Sequence, residues 1–256
     1  VKNALLAATL GLSAICIVLF ALKIHILGFA LFSIGFTLIQ VFYLSSLFKV
    51  IRKKLGEKHR LLFYLKYIGA VTVVVYLGFF VDYLIRIEIS KLPVKATMNL
   101  LWRITVIIIL FIVLTLMYSV YKWFKSTRGE VDKKALALAA ILATLVFLWR
   151  VETLITIRGP FCLILGPFVI VFLTLIVFFA TILAVSMPKG LVQEVLASYM
   201  PLIAVLAVLL SCTPRQEMLF APSPFSIIIW RSLIVIISLI ATTFLHSRYC
   251  AIMAKK

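Results

Sequence analysis

Residues 161–187 read FCLILGPFVIVFLTLIVFFATILAVSM, 27 positions without one charged side chain. A helix needs roughly 20 apolar residues to cross the hydrocarbon of a bilayer, so this run is long enough with some to spare. A helix on the surface of a water-soluble domain would keep a polar face, and a barrel strand would alternate with period two; the run does neither. Outward from it, apolar runs between charged or Pro/Gly punctuation place helices near 4–22, 26–49, 61–85, 99–121, 135–157, 161–187, 196–212 and 225–246. The expected fold is an all-α integral membrane protein with about eight transmembrane helices. The seventh is short and contains Pro201, so an imperfect or re-entrant segment is the alternative there.

Composition supports lipid as the solvent. Apolar residues make up 65% of the chain, more than a water-soluble domain of this length could hide in one core. The net charge of +18 comes from 26 basic and 8 acidic residues. These basic residues gather in short loops beside the apolar runs, and no basic stretch is long enough or aromatic-interleaved enough to follow a nucleic acid backbone. The expected partner is the lipid bilayer, with no nucleic acid. Cys16, Cys162, Cys212 and Cys250 stand far apart without a C-x-x-C pair, so no metal site is expected. Val1-Lys2-Asn3 and the apolar run to Leu22 have the charge and length of a signal anchor without a convincing cleavage site, and are read as the first helix of the mature protein.

The loops around Arg52–Arg60 and Lys122–Lys134 and the tail Arg248–Lys256 are the richest in positive charge and fall on one side of an eight-helix count. The positive-inside rule then places them and both termini in the cytoplasm, for a multi-pass protein of the cell membrane. The chain also reads as built twice. Gly28 and Gly35 are mirrored by Gly159 and Gly166, a shift of 131 (28 to 159), and Trp102-Arg103 by Trp230-Arg231, a shift of 128 (102 to 230). Two tandem four-helix bundles, 1–125 and 126–256, follow, sharing one orientation because four is even.

Charges inside a span cost about 2.5–3.5 kcal/mol each on insertion scales, so they are candidates for function. Arg103, Arg150, Glu152 and Arg231, with Asp82, Arg86 and Glu88, all fall toward the outer side. Three arginines directly follow a tryptophan, as Trp102-Arg103, Trp149-Arg150 and Trp230-Arg231. Neighbours on a helix point about 100° apart, so each pair should offer its ring and its cation to different partners. One reading is an interfacial aromatic belt with snorkelling arginines; the other is a polar pocket in the outer leaflet in which Glu152 answers Arg103 or Arg231 across the bundle. Lys66 lies near the basic loop and can snorkel to it. His25, His59 and His246 are read as lying at helix ends or in loops, which argues against haem. No P-loop, H-E-x-x-H or G-x-S-x-G occurs. The default role for Gly28, Gly35, Gly69, Gly78, Gly159 and Gly166 is close helix packing.

In length, in its eight helices as two bundles, and in the stretch Trp230-Arg231-Ser232-Leu233-Ile234-Val235 within the last helix, the chain resembles the membrane subunit of polysulfide-reductase-type complexes, the NrfD/PsrC family. That resemblance implies a haem-free and metal-free subunit that anchors iron–sulfur and catalytic subunits of a respiratory oxidoreductase and binds a quinone near the outer face. Under it, Glu152 would handle protons, Arg150, Arg103 or Arg231 would stabilise developing charge, and Trp102, Trp149 or Trp230 would line the quinone slot. The outer turns carry few polar quinone ligands, a departure that puts quinone chemistry in doubt. The competing readings are a secondary transporter or channel built from two repeats, and a non-catalytic scaffold subunit.

Overall fold

The computed structural model describes residues 2–56, 60–87, 95–128, 131–156, 160–186, 190–211 and 223–254. Among the described residues there are eight α-helices and no strands: α1 (Lys2–Ala21), α2 (His25–Leu55), α3 (Arg60–Ile87), α4 (Lys95–Arg128), α5 (Lys133–Thr156), α6 (Pro160–Ser186), α7 (Leu191–Ser211) and α8 (Pro224–Ala254). Six of them contain stretches long and apolar enough to cross a membrane, in α1, α2, α4, α5, α6 and α8. Their outward faces are apolar as well, with Ile15, Leu38, Phe111, Ile141, Ile164 and Ile240 all exposed. A water-soluble molecule does not present such a surface all round, so the chain is a multi-pass membrane protein.

In α3 and α7 the apolar stretches among the described residues are Leu65–Val81 and Ala197–Leu209. α7 packs against α2, α3, α4, α6 and α8, and Tyr199, Met200, Leu202, Ile203 and Leu206 are buried. The seventh segment is one unbroken helix: α7 runs through Pro201 for 21 residues, about 31 Å at 1.5 Å per residue. α6 likewise continues through Pro167. As the eighth residue of α6, Pro167 removes one intrahelical donor without ending the helix.

Side-chain contacts fix the directions. Gly28 lies against Phe20 and Gly35 against Leu12, so α1 and α2 are antiparallel. A Cβ on Gly35 would stand 2.5 Å from a Leu12 methyl, which is the close approach expected of these glycines. Phe29 stacks on Tyr83 and Phe36 on Tyr76, so α2 and α3 are antiparallel too. Two pairs of even-numbered helices are parallel. In α4 and α6, Phe111 meets Phe172 and Tyr118 meets Phe179; in α2 and α8, Gln40 meets Thr242 and Tyr43 meets His246. At the α1–α2 turn, Lys23 adopts a left-handed φ of 62° and the Ile24 amide donates to the Leu19 carbonyl at 2.9 Å, a helix stop of the kind usually given to glycine. The opposite, basic end carries Arg52, Lys53 and Lys54 in the last turn of α2, where cations suit the helix dipole.

Candidate functional site

The expected outer layer of tryptophans and arginines is spread over three helices. Arg103 is on α4, Trp149 and Arg150 on α5, Trp230 and Arg231 on α8. No extended interface joins α4 to α5, α4 to α8 or α5 to α8 among the described residues, and α5 packs on α6. The side chains of Trp102, Asp82, Arg86 and Glu152 lie outside the described part of the structure, as do residues 88–94, 157–159 and 212–222. Arg150 is buried, and its guanidinium folds back over the ring of its neighbour Trp149 at 5.3 Å. In this pair ring and cation also meet each other, because a long Arg side chain can curl over an adjacent residue that its Cβ direction avoids.

Arg231 is placed differently. Its guanidinium carbon stands 5.5 Å from the Phe29 ring and 5.4 Å from the Tyr83 ring, and those rings stack on each other at 4.5 Å. Phe20 closes on Phe29 at 4.9 Å, and His25 follows Phe20 at 6.3 Å. A half-buried cation beside two ring faces gains about 0.5–2 kcal/mol from them, which offsets part of its desolvation. Four helices, α1, α2, α3 and α8, supply the cluster.

From that cluster a file of polar side chains descends between the parallel helices α2 and α8. On α2 it comprises Ser33, Thr37, Gln40 and Tyr43, and on α8 Ser238, Thr242, His246 and Cys250; α3 adds Tyr76. The spacing explains the line: 238, 242, 246 and 250 are successive i+4 positions, and 33, 37 and 40 follow the same face of α2. Gln40 donates from Nε2 to Thr242 Oγ1, and the Thr242 hydroxyl donates to the Ser238 carbonyl at 2.7 Å. The Tyr76 hydroxyl, wholly buried, faces Ser238 and Gln40 without a well-formed hydrogen bond to either. Lower down, the Tyr43 hydroxyl is 2.7 Å from His246 Nδ1, and His246 Nε2 is 3.5 Å from Cys250 Sγ. Tyr249 packs edge-on against Tyr43 at 5.4 Å.

Two properties separate this file from ordinary helix glue. Ser33 Oγ, Thr37 Oγ1, Gln40 Oε1, Tyr76 Oη and Ser238 Oγ are all buried and have no hydrogen-bond partner among the described residues. A buried polar atom left so costs about 1–3 kcal/mol, and four on α2 and α8 with a fifth on α3 are not needed to hold the helices together. The second property is the imidazole. With its proton on Nε2, His246 accepts from Tyr43 and offers N–H to the Cys250 sulfur; with the proton on Nδ1 both directions reverse. It is therefore able to pass a proton between its two neighbours. From Arg231 to His246 is about 22 Å along α8, and buried Val235 interrupts the polar line next to Arg231.

The sequence reading missed this file. It placed His246 at a helix end, whereas α8 runs eight residues further to Ala254. The signal present was the i+4 recurrence of Ser, Thr, His and Cys in the last helix.

No protein-family model, curated protein or solved structure matches the chain. Resemblance to the NrfD/PsrC family thus rests on overall architecture and the Trp230–Val235 stretch.

Proposed function

We propose that this chain is a membrane subunit that delivers protons along the α2–α8 interface to a reaction at the Arg231 cluster, in keeping with a quinone-handling subunit of a respiratory oxidoreductase. The observation that carries the reading is the file itself: hydroxyl, amide, phenol and imidazole groups aligned along α2 and α8, with Tyr76 facing Ser238 and Gln40 beside them. The side chains of Ser33, Gln40, Tyr43, Tyr76, Ser238 and Thr242 are packed to negligible exposure. A hydrated solute needs a lumen; a proton needs only successive hydrogen-bonding groups, with water bridging the break beside Val235.

Arg231 gives the file a direction. A fixed cation at its end opposes the free exit of protons, as positive charges do in proton-excluding pores. Protons entering at the basic end through Cys250, His246 and Tyr43 would arrive at the cluster and be used there. The stacked Phe29 and Tyr83 rings under a guanidinium suit a flat acceptor whose reduction develops negative charge. Under the same reading Glu152 would handle protons, Arg150 and Arg103 would stabilise developing charge, and Trp102, Trp149 and Trp230 would line a quinone slot.

The finer architecture is part of this proposal: eight spans, with both termini and the basic loops in the cytoplasm of the cell membrane. The exposed Arg52, Lys53, Lys54, Lys122, Lys125, Lys133 and Lys134 support that orientation. Two tandem four-helix units, 1–125 and 126–256, belong to the same proposal, with the fourth helix of each packed on the other: α4 on α6, and α8 on α1 and α2. Under a duplication that maps α2 onto α6 and α4 onto α8, the parallel pair α2–α8 corresponds to the parallel pair α6–α4.

Two measurements test the function. The chain purified gently from its native membrane is expected to bring iron–sulfur and catalytic subunits and extractable quinone. Reconstituted into vesicles holding a pH dye, Arg231→Gln should leak protons at least tenfold faster than the wild type, and adding His246→Phe should reverse this. If Arg231→Gln vesicles conduct no better than the wild type, proton delivery along α2–α8 is wrong. If the chain comes alone and without quinone, and drives ligand-dependent flux by itself, the transporter reading replaces the respiratory one.

A further inference from the structure

On the far side of α2 from α8 lies a cavity of about 260 Å³, independent of the proton file. Val41, Leu44, Ser45 and Phe48 of α2 form one wall, and Leu65, Lys66, Gly69, Ala70 and Val73 of α3 the other. Tyr199 of α7 is its floor, held there by donating its hydroxyl to the Leu44 carbonyl at 2.6 Å. Because α2 and α3 are antiparallel, Phe48 and Lys66 sit together toward the basic end, while Val41 and Val73 lie deeper. The slot thus runs along the helices for about 10 Å, the rise of seven residues, with its one charged group at the mouth. Gly69 keeps it open. An added Cβ there meets nothing within 4 Å, so the close-packing role expected of this glycine does not apply.

We propose that this slot holds the hydrocarbon chain of one anionic membrane lipid, whose phosphate is bound by Lys66. The walls are almost wholly apolar, which suits an alkyl chain. Since lipid tails surround the protein everywhere, moving a chain into the slot gains little, and selectivity has to come from the headgroup. Lys66 is exposed, as are Lys49, Arg52, Lys53 and Lys54 on the neighbouring helix, so among the described residues the mouth opens on a field of positive charge. A zwitterionic headgroup would bring its own cation into that field. An anionic phosphate meets the Lys66 ammonium within reach of its flexible stem.

Native mass spectrometry of the detergent-solubilised full chain, titrated with phosphatidylglycerol or with phosphatidylcholine of the same chains, tests the site. One phosphatidylglycerol should be retained about fivefold more tightly than phosphatidylcholine, the effect of one lysine near an anionic headgroup. Lys66→Ala should abolish that preference and Lys66→Arg should keep it. Gly69→Leu should fill the slot and lose the retained lipid of either kind, with helix content by circular dichroism unchanged. Equal retention of the two lipids by the wild type, an undiminished preference in Lys66→Ala, or full retention by Gly69→Leu would each overturn the proposal.

Discussion

The α2–α8 and α4–α6 interfaces join the same kind of helices in the same way, yet they are made of different chemistry. Each is a parallel pair with a constant register, about 202 positions apart in one and 61 in the other. Between α4 and α6 the contacts are rings, Phe111 on Phe172 and Phe179 on Tyr118 and Tyr121, backed by buried Leu110, Val113, Leu173 and Ile176. Between α2 and α8 they are Gln40 on Thr242 and Tyr43 on His246, with unpaired buried oxygens around them. The apolar pair shows that this geometry can be held by packing alone. The polar groups of the other pair therefore serve something other than cohesion.

The largest effect should come from the packing side of this comparison. Leu173→Ala removes a fully buried side chain from α6, and should lower stability by about 2–5 kcal/mol while leaving proton transfer by the folded protein unchanged. Unfolding in detergent and vesicle flux on the same sample separate the two. A loss of proton transfer in molecules that remain folded would mean that the α4–α6 pair is not merely structural.

Gln40→Leu should behave in the opposite way. Thr242 keeps its bond to the Ser238 carbonyl, an unpaired Gln40 oxygen disappears, and interhelical hydrogen bonds in membranes average about 0.6 kcal/mol, so stability should move by less than about 1 kcal/mol. Proton delivery measured in the Arg231→Gln background should fall at least tenfold, about 1.4 kcal/mol of barrier. If Gln40→Leu instead unfolds the protein as readily as Leu173→Ala and leaves flux intact, the file is glue after all.

A smaller effect marks the α7 contact with α2. Tyr199→Phe loses the bond to the Leu44 carbonyl and should cost about 0.6–1 kcal/mol, read as a modest fall in the thermal midpoint. The smallest change is a gain. Lys23→Gly relieves the left-handed φ at the α1–α2 turn and should stabilise by up to about 1 kcal/mol, with no effect on either parallel interface. A destabilised Lys23→Gly protein would show that the Lys23 side chain contributes more than its backbone conformation costs.

Much of the fold was legible because the signals were local. Runs such as 161–187 located helices to within a few residues at most ends, and the longer ones gained extra turns where Arg52–Lys54 or Arg248 continued them past the apolar core. The WR pairs marked charged residues within helices, and one of them, Arg231, does stand in a built cluster. Its companions Phe29 and Tyr83 carried no charge to betray them, and Gln40 looked like one polar residue in an apolar helix. Their partners lie some 150 to 200 positions away, at a separation where no periodicity connects them.

By itself, then, the sequence determined that the chain is helical, apolar enough to lie in a membrane, and basic at one set of turns. In hydrocarbon each backbone donor and acceptor has to be satisfied within its own segment, so the helix is a local consequence of an apolar run. Which helices became neighbours was decided only in the tertiary structure. Lipid is as apolar as leucine and gives no general drive for association, so α8 meets α2 through side-chain shape and a few hydrogen bonds that exist only once both faces are brought together.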